Sequence, residues 1–494
     1  MDRGPLIGIQ IGAVSFVDEG VDEVLDLVAE KAGVNAVFLA TQSFDRGVQG
    51  RQVPGRPWPG HGCELPDDHS GGAYILQHPE LYGDGVIGAY RARDVEVDGF
   101  DVLEHVLPAA HARDQAVYAF LLENTHSGLT RAVPRWTRVL QVDARDRLDS
   151  DACLRNPAYV TWWLSVVEDH LRFHPLDGIM FGSERGGPLG NVLGRGGFAR
   201  TGTAYCFCRH CEEAAARRGL DARRAREGYR ALEALVATAS EADQNGDSAF
   251  VRFLRLLGRY PEILAWDTLW HDGYRELQAT LYGAAKFLAP NVAVGWHLWH
   301  HNSFSPLHRA HTDYSGLPGV VDFVKPVLYN DCGGYRLQHH VRALAAGVFA
   351  GVPEQTVYDL LRAVLGYDED VAADELHETG LSADYVSREV QRSVRALSGS
   401  VSVYPGLDVN VSSPPHVRQT TPESLAAAVT AALDAGADGV ILSRKYSEMA
   451  HENLTAVGRR GRRSSGRSDA DSPHRVKKIG RPHDQLTTSG PLVS

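Results

Sequence analysis

Residues 177–189 read DGIMFGSERGGPL, and this stretch decides the fold. Leu176–Gly182 is a short apolar run of strand length, and it delivers Ser183, Glu184 and Arg185 into a glycine-rich loop. Further on comes Cys206-Phe207-Cys208-Arg209-His210-Cys211. A carboxylate at the end of a buried strand, followed by clustered thiols, predicts a catalytic rim beside a loop stapled by metal.

Upstream of this stretch, Asn156-Pro157-Ala158-Tyr159 opens a helix that runs through Trp162, Trp163, Val166 and Val167. Downstream lie helical segments at about Glu212–Arg218, Ala222–Ser240 and Phe250–Leu288, and then a strand at Val292–Leu298. Strand alternating with helix implies parallel pairing and right-handed crossovers. The same alternation extends both ways. Leu6–Phe16, Asn35–Thr41 and Ala116–Leu122 precede the stretch as strands one to three. Val321–Leu328, Val401–Pro405 and Gly439–Leu442 follow as strands six to eight, the last after a helix capped by Thr421 with Pro422 at its first position.

Eight strands, each followed by helix, with no glycine fingerprint after the first, predict a (β/α)8 TIM barrel with long insertions after strands 2, 4 and 6. The insertion from Gln42 to about Glu96 is rich in Gly, Pro, His and Asp, the composition of a rim or lid beside a site. The barrel is expected to occupy residues 1–457. From 458 to 494 the composition turns basic and loses large apolar residues, which predicts a disordered tail.

The 494 residues are 43% hydrophobic and 23% charged, with a formal charge of −12. That charge argues against general nucleic-acid binding, which needs a basic face. The N-terminal MDRGPLIGIQIGAVSF lacks the ordered regions of a secretory signal, and no run approaches the ~20 apolar residues of a membrane helix. A cytoplasmic location is therefore expected, with cysteines as free thiols or metal ligands. No membrane or nucleic-acid partner and no organic cofactor are expected. Homo-oligomerisation stays open.

In barrel enzymes the site lies at the C-terminal ends of the strands. The polar residues there are Glu123 and His126 after strand three, Glu184 and Arg185 after four, and His297, Trp299, His300 and His301 after five. Lys325, Tyr329 and Asn330 belong to six, Asp408 to seven, and Arg444, Tyr446 and Glu448 to eight. Carboxylates, histidines and aromatic faces together suit a carbohydrate. Glycoside hydrolysis needs two carboxyl groups, one to protonate the leaving oxygen and one to attack or to activate water. Glu184 is the candidate acid/base, with an ion pair to Arg185 or another rim cation as its structural alternative.

Cys153, Cys206, Cys208 and Cys211 together satisfy a closed tetrahedral zinc site, which pins a loop and performs no chemistry. Buried free cysteines are the alternative, and the spacing fits neither common ferredoxin pattern. Two further readings of the mouth are a metal-dependent sugar isomerase or lyase using His297 and His301, and a carbohydrate-binding barrel without turnover. Lys325 suits a Schiff base or a barrel-interior ion pair.

Cys153 before Asn156-Pro157-Ala158-Tyr159, then a strand ending in glutamate, then Cys-x-Cys-x-x-Cys, resembles glycoside hydrolase family 42, the clan A β-galactosidases and their glycosidase-like relatives. The resemblance implies that the four cysteines bind a structural zinc and that Glu184 is the general acid/base. It departs at two places. The family has Asn-Glu where this chain has Ser183-Glu184, and its strand seven ends in a nucleophilic glutamate where VSVYPGLDVNV offers Asp408. Glu448 is the rival second carboxylate, with a first-turn helix glutamate as its structural alternative.

Overall fold

The computed structural model describes residues 4–43, 61, 71–83, 85–92, 99–123, 133, 135–195, 202–241 and 246–464. Its barrel strands are β1 (Leu6–Gly12), β2 (Ala36–Ser43), β3 (Ala116–Leu122), β4 (Gly178–Gly182), β5 (Ala293–Leu298), β6 (Phe323–Pro326), β7 (two runs, Ser402–Val403 and Gly406–Asp408) and β8 (Gly439–Ser443). Every neighbouring pair is parallel, from β8 and β1 round to β5 and β6. The ring closes through β7, whose first run pairs with β6 and whose second pairs with β8. The expected (β/α)8 barrel with long insertions after strands 2, 4 and 6 is the observed architecture.

The split in β7 has a local cause. Pro405 has no N–H to give to the ladder, so between the two runs only Tyr404 donates, to the Val324 carbonyl at 2.9 Å, while the Pro405 carbonyl accepts from Ile441 at 2.9 Å. Pro261 similarly divides the expected helix 250–288 into Ala249–Arg259 and Glu262–Leu288. The first expected strand, Leu6–Phe16, ends early at Gly12, because Ala13–Glu19 turns into a short helix. One hairpin, Leu140–Val142 with Leu148–Ala152, was not expected from the sequence.

Two cores hold the barrel. The interior is a plug of large rings with Phe38 stacked on Tyr118 at 4.5 Å and Phe323 edge-on to both. These rings fit because small residues oppose them. A Cβ on Gly8 would stand 2.6 Å from the Phe38 ring, and one on Gly295 would stand 2.1 Å from Phe323. The outer core lies between strands and helices, where Trp163 on Pro157–Phe173 meets Phe181 of β4 edge-on at 5.0 Å. Each large side chain fully buried in this way contributes roughly 1.5–3 kcal/mol relative to exposure.

The helices start where their caps dictate. Asn156 accepts from the Ala158 N–H at 3.0 Å, and Thr421 forms a reciprocal capping box with Ser424. The last helix, His451–Ser464, continues past position 458, where the composition changes. Residues 465–494, Cys63 and most of the 44–70 insertion lie outside the described residues. No described helix is long and apolar enough to cross a membrane.

Candidate active site

Above the aromatic plug the barrel turns polar. Strand register sets the first three positions: Gly182 of β4 pairs with His297 of β5, and His297 pairs with Lys325 of β6. Glu184 therefore emerges two residues beyond the level of the His297 ring. His297 Nε2 lies 3.0 Å from Glu184 Oε1, and its Nδ1 lies 3.4 Å from Lys325 Nζ. Lys325 in turn donates to Gln10 Oε1 of β1 at 2.8 Å. Lys325 is fully buried, and that burial pulls its ammonium down to about 7, with Glu184 opposing the shift. Burial, and secondarily Lys325, lowers His297 as well. Glu184 is more open, with its side chain 32% exposed.

The residues flanking Glu184 turn the other way. Ser183 donates to Glu123 Oε2 at 2.8 Å, and Arg185 is ion-paired with the same carboxylate, which also receives the Tyr159 hydroxyl. The Arg185 guanidinium is thus engaged by Glu123 rather than by Glu184. Glu123 and Arg185, both expected to contact substrate, are buried against each other.

Asp408 ends β7 and is 1% exposed. Its Oδ2 accepts from the Cys332 N–H at 2.9 Å, while Oδ1 is buried without a hydrogen-bond partner. Burial raises Asp408, and the Arg336 guanidinium opposes that rise. Arg336 also feels the field of Glu184, so this cation stands in electrostatic reach of both candidate carboxylates. Its guanidinium covers the Tyr329 ring at 5.2 Å. Asp331 is a third buried carboxylate, raised by burial and by Asp408 and held by Ser424 at 2.8 Å and Arg418 at 3.3 Å.

The remaining candidates divide by what occupies them. Glu448 is clamped by Arg444 through two contacts of 2.9 and 3.2 Å, and Lys445 stands 3.8 Å away. Tyr446 is buried and donates to Glu19 at 2.9 Å. His300 contacts the Tyr385 hydroxyl at 3.1 Å and Arg336 at 3.2 Å, so both its nitrogens are committed within the fold. Asn330 is buried, and its carbonyl accepts from Leu381. Trp299 stacks on His301 at 3.8 Å. His297 and His301 therefore do not share a ligand set among the described residues. His126 lies outside the described residues.

Sequence reading missed Gln10, Arg336 and Asp331 as site residues. Gln10 had a visible signal, a lone amide in the apolar run LIGIQIG. Arg336 sits on the helix Gly333–Ala346, and nothing in that helical pattern distinguishes it from a surface arginine.

Beside the mouth, between β4–β5 and the helix Glu262–Leu288, lies a cavity of about 530 Å³. Ser183, Arg185, His297 and Trp299 form its barrel side, and Trp270 and Tyr274 its helix side. Such a volume lies within the range of small-ligand sites.

The four sulfurs of Cys153, Cys206, Cys208 and Cys211 lie within 4.8 Å of one another, with 3.4 Å between Cys208 and Cys153 and 3.7 Å between Cys153 and Cys211. A tetrahedral ion bound at ~2.3 Å to each sulfur separates them by ~3.8 Å, so the set fits zinc. The Val142 N–H donates to Cys206 Sγ at 3.4 Å, the kind of outer-sphere bond that orients a thiolate ligand. The unexpected hairpin supplies that donor and leads straight into Cys153.

The ring of eight parallel strands with a polar mouth defines the fold as a (β/α)8 TIM barrel. A polyextremophilic β-galactosidase from the Antarctic haloarchaeon Halorubrum lacusprofundi is similar at a TM-score of 0.52 and 14% identity, over 95% of this chain and 60% of that one. The glycoside hydrolase domain of PgaB (BpsB) from Bordetella bronchiseptica is matched at a TM-score of 0.47 and 14% identity, over 92% of this chain and 99% of that one. The cold-adapted β-galactosidase of Rahnella sp. R3 is matched at 0.46 and 15%, over 92% of this chain and 55% of that one. The chain thus spans just over half the length of these two β-galactosidases. No protein-family model and no curated protein sequence matches the chain.

Proposed function

We propose that the chain is a glycoside hydrolase of the family 42 type that cleaves O-glycosidic bonds of a small oligosaccharide or glycoside, with Glu184 as general acid/base and Asp408 as the second carboxylate. The observation that carries the reading is the contact between Glu184 and His297, backed by Lys325. With Lys325 as an ammonium donating to Nδ1, His297 carries its hydrogen on Nε2 and donates to an ionised Glu184. Shifting one proton through the ring leaves a neutral Lys325 amine, a hydrogen on Nδ1 and a protonated Glu184. No heavy atom moves, and atoms and charge balance. Burial brings Lys325 down to about 7, so it gives up its proton far more readily than an ordinary ammonium, which suits a group that must give a proton in one step and take it back in the next.

Asp408 supports the reading through its partnerless Oδ1, whereas Glu448 is neutralised by its arginine. Trp299, on the cavity wall, offers an aromatic surface to sugar C–H groups. The four cysteines would hold a structural zinc that fixes the segment after β4 and touches no substrate. A panel of aryl glycosides assayed with the wild type and with Glu184→Gln tests the reading. Cleavage of one member, abolished in the variant with the fold intact, is expected. Equal rates in both proteins overturn it.

A further inference from the structure

The helix Glu262–Leu288 carries a second set of metal-binding groups that owes nothing to the cysteines. Asp267 and His271 lie one turn apart on its buried face, and His311 approaches from the segment after β5. One ligand atom from each falls within 4.8 Å of the others. His311 Nε2 stands 2.7 Å from Asp267 Oδ2, and His271 Nε2 stands 3.9 Å from the same oxygen. The two imidazoles lie face to face at 4.0 Å with 10° between their planes, so one ring must rotate before both nitrogens point at a single ion.

Two independent features mark the point where these atoms converge. Asp267 is 1% exposed; its Oδ1 accepts from the Leu189 N–H at 2.9 Å, while its Oδ2 is turned to the two imidazoles, with His311 Nε2 at 2.7 Å. A buried carboxylate oxygen and the two imidazole edges it faces form a set of donors that a cation can bridge. In front of His271, moreover, the chain carries Gly187 at a positive φ of 72°, where a Cβ would lie 2.6 Å from Nε2 and 3.3 Å from Asp267 Oδ1. The glycine keeps open the space beside Nε2.

We infer that Asp267, His271 and His311 bind a divalent transition-metal ion on the wall of the 530 Å³ cavity. Two imidazoles and one carboxylate select such an ion over calcium or magnesium, which favour oxygen ligands. Three protein ligands leave coordination positions vacant, the arrangement of reactive rather than structural sites. His271 and His311 both line the cavity, so those positions take an oxygen donor from it, either water or the hydroxyls of a bound polyol. The inference stands apart from the proposed hydrolysis at Glu184.

The test is titration of the full chain, as purified, with Co(II), followed by visible absorption. About one equivalent is expected to bind with weak ligand-field bands and no sulfur-to-metal charge transfer. Asp267→Asn, which keeps an acceptor for Leu189, His271→Asn and His311→Asn should each weaken binding at least ~100-fold. Unchanged circular dichroism in these variants separates lost ligation from lost fold, and His339→Asn serves as the surface control. The inference is overturned if no Co(II) binds, if binding is indifferent to all three variants, or if all the Co(II) bound shows thiolate charge transfer and is lost in Cys208→Ser.

Discussion

Lys325 reaches Glu184 through a single imidazole ring: His297 stands 3.4 Å from the lysine nitrogen on one side and 3.0 Å from the glutamate oxygen on the other. Adjacent strands in register hold the lysine and the histidine side by side, so their geometry is a property of the barrel rather than of mobile loops. Lys325→Met should lower kcat at neutral pH by roughly 10–100-fold and leave KM within about twofold, because the lysine is a positioning and proton-supplying residue with no substrate contact. The alkaline limb of the kcat profile should move to lower pH. Superimposable profiles contradict the relay.

Burying Lys325 also links stability to pH. Its folded value, near 7, lies below its ordinary 10.5, so between these values the unfolded chain binds more protons and stability rises with pH. The penalty is fully present below pH 7 and is relieved as pH climbs toward 10.5. At about 1.4 kcal/mol per pH unit, the difference is on the order of 4–5 kcal/mol. Lys325→Met should therefore be more stable than the wild type at pH 6, with the gap in Tm closing by pH 10. A gap independent of pH would show that the lysine is not held neutral.

Asp408 and Glu448 make opposite predictions. Asp408→Asn should reduce turnover at least ~10³-fold, because it removes the second carboxylate. Glu448→Gln strands Arg444 beside a neutral amide, so it should lower Tm while leaving turnover within about tenfold. Rates and thermal melts of the two variants check both, and the reverse order of effects moves the second carboxylate to Glu448.

The thiol cluster predicts stability without chemistry. Elemental analysis should find zinc that is lost in Cys208→Ser, together with a drop in Tm, because the hairpin ending at Ala152 and the helix Arg209–Arg217 are joined through the four sulfurs. A thiol-free metal content, or a Tm indifferent to the substitution, contradicts a zinc clamp.

Most of the barrel was legible in the sequence because its strands are buried on both faces and stand out as apolar runs, and because Asn156 and Thr421 announce their helices. The site was legible only as an inventory. Glu184, His297 and Lys325 could be placed at strand ends, but their contact depends on register between strands separated by an insertion of more than a hundred residues. Arg185 shows the limit clearly. Adjacency to Glu184 suggested an ion pair between them, yet alternation along the extended segment sends Arg185 to Glu123 and leaves Glu184 facing His297. The group formed by Asp267, His271 and His311 was hidden because helical spacing makes the first two look like core polar residues, and the third comes from another segment.

The most direct test of Glu184 as the acid/base is the dependence of its loss on the leaving group. For Glu184→Ala, kcat/KM should fall at least ~10³-fold for a glycoside with a poorly acidic alcohol, and far less for a dinitrophenyl glycoside, which departs without a proton. Added azide should then restore turnover of the dinitrophenyl substrate. An equal loss for both leaving groups, with no response to azide, would contradict the role assigned to Glu184.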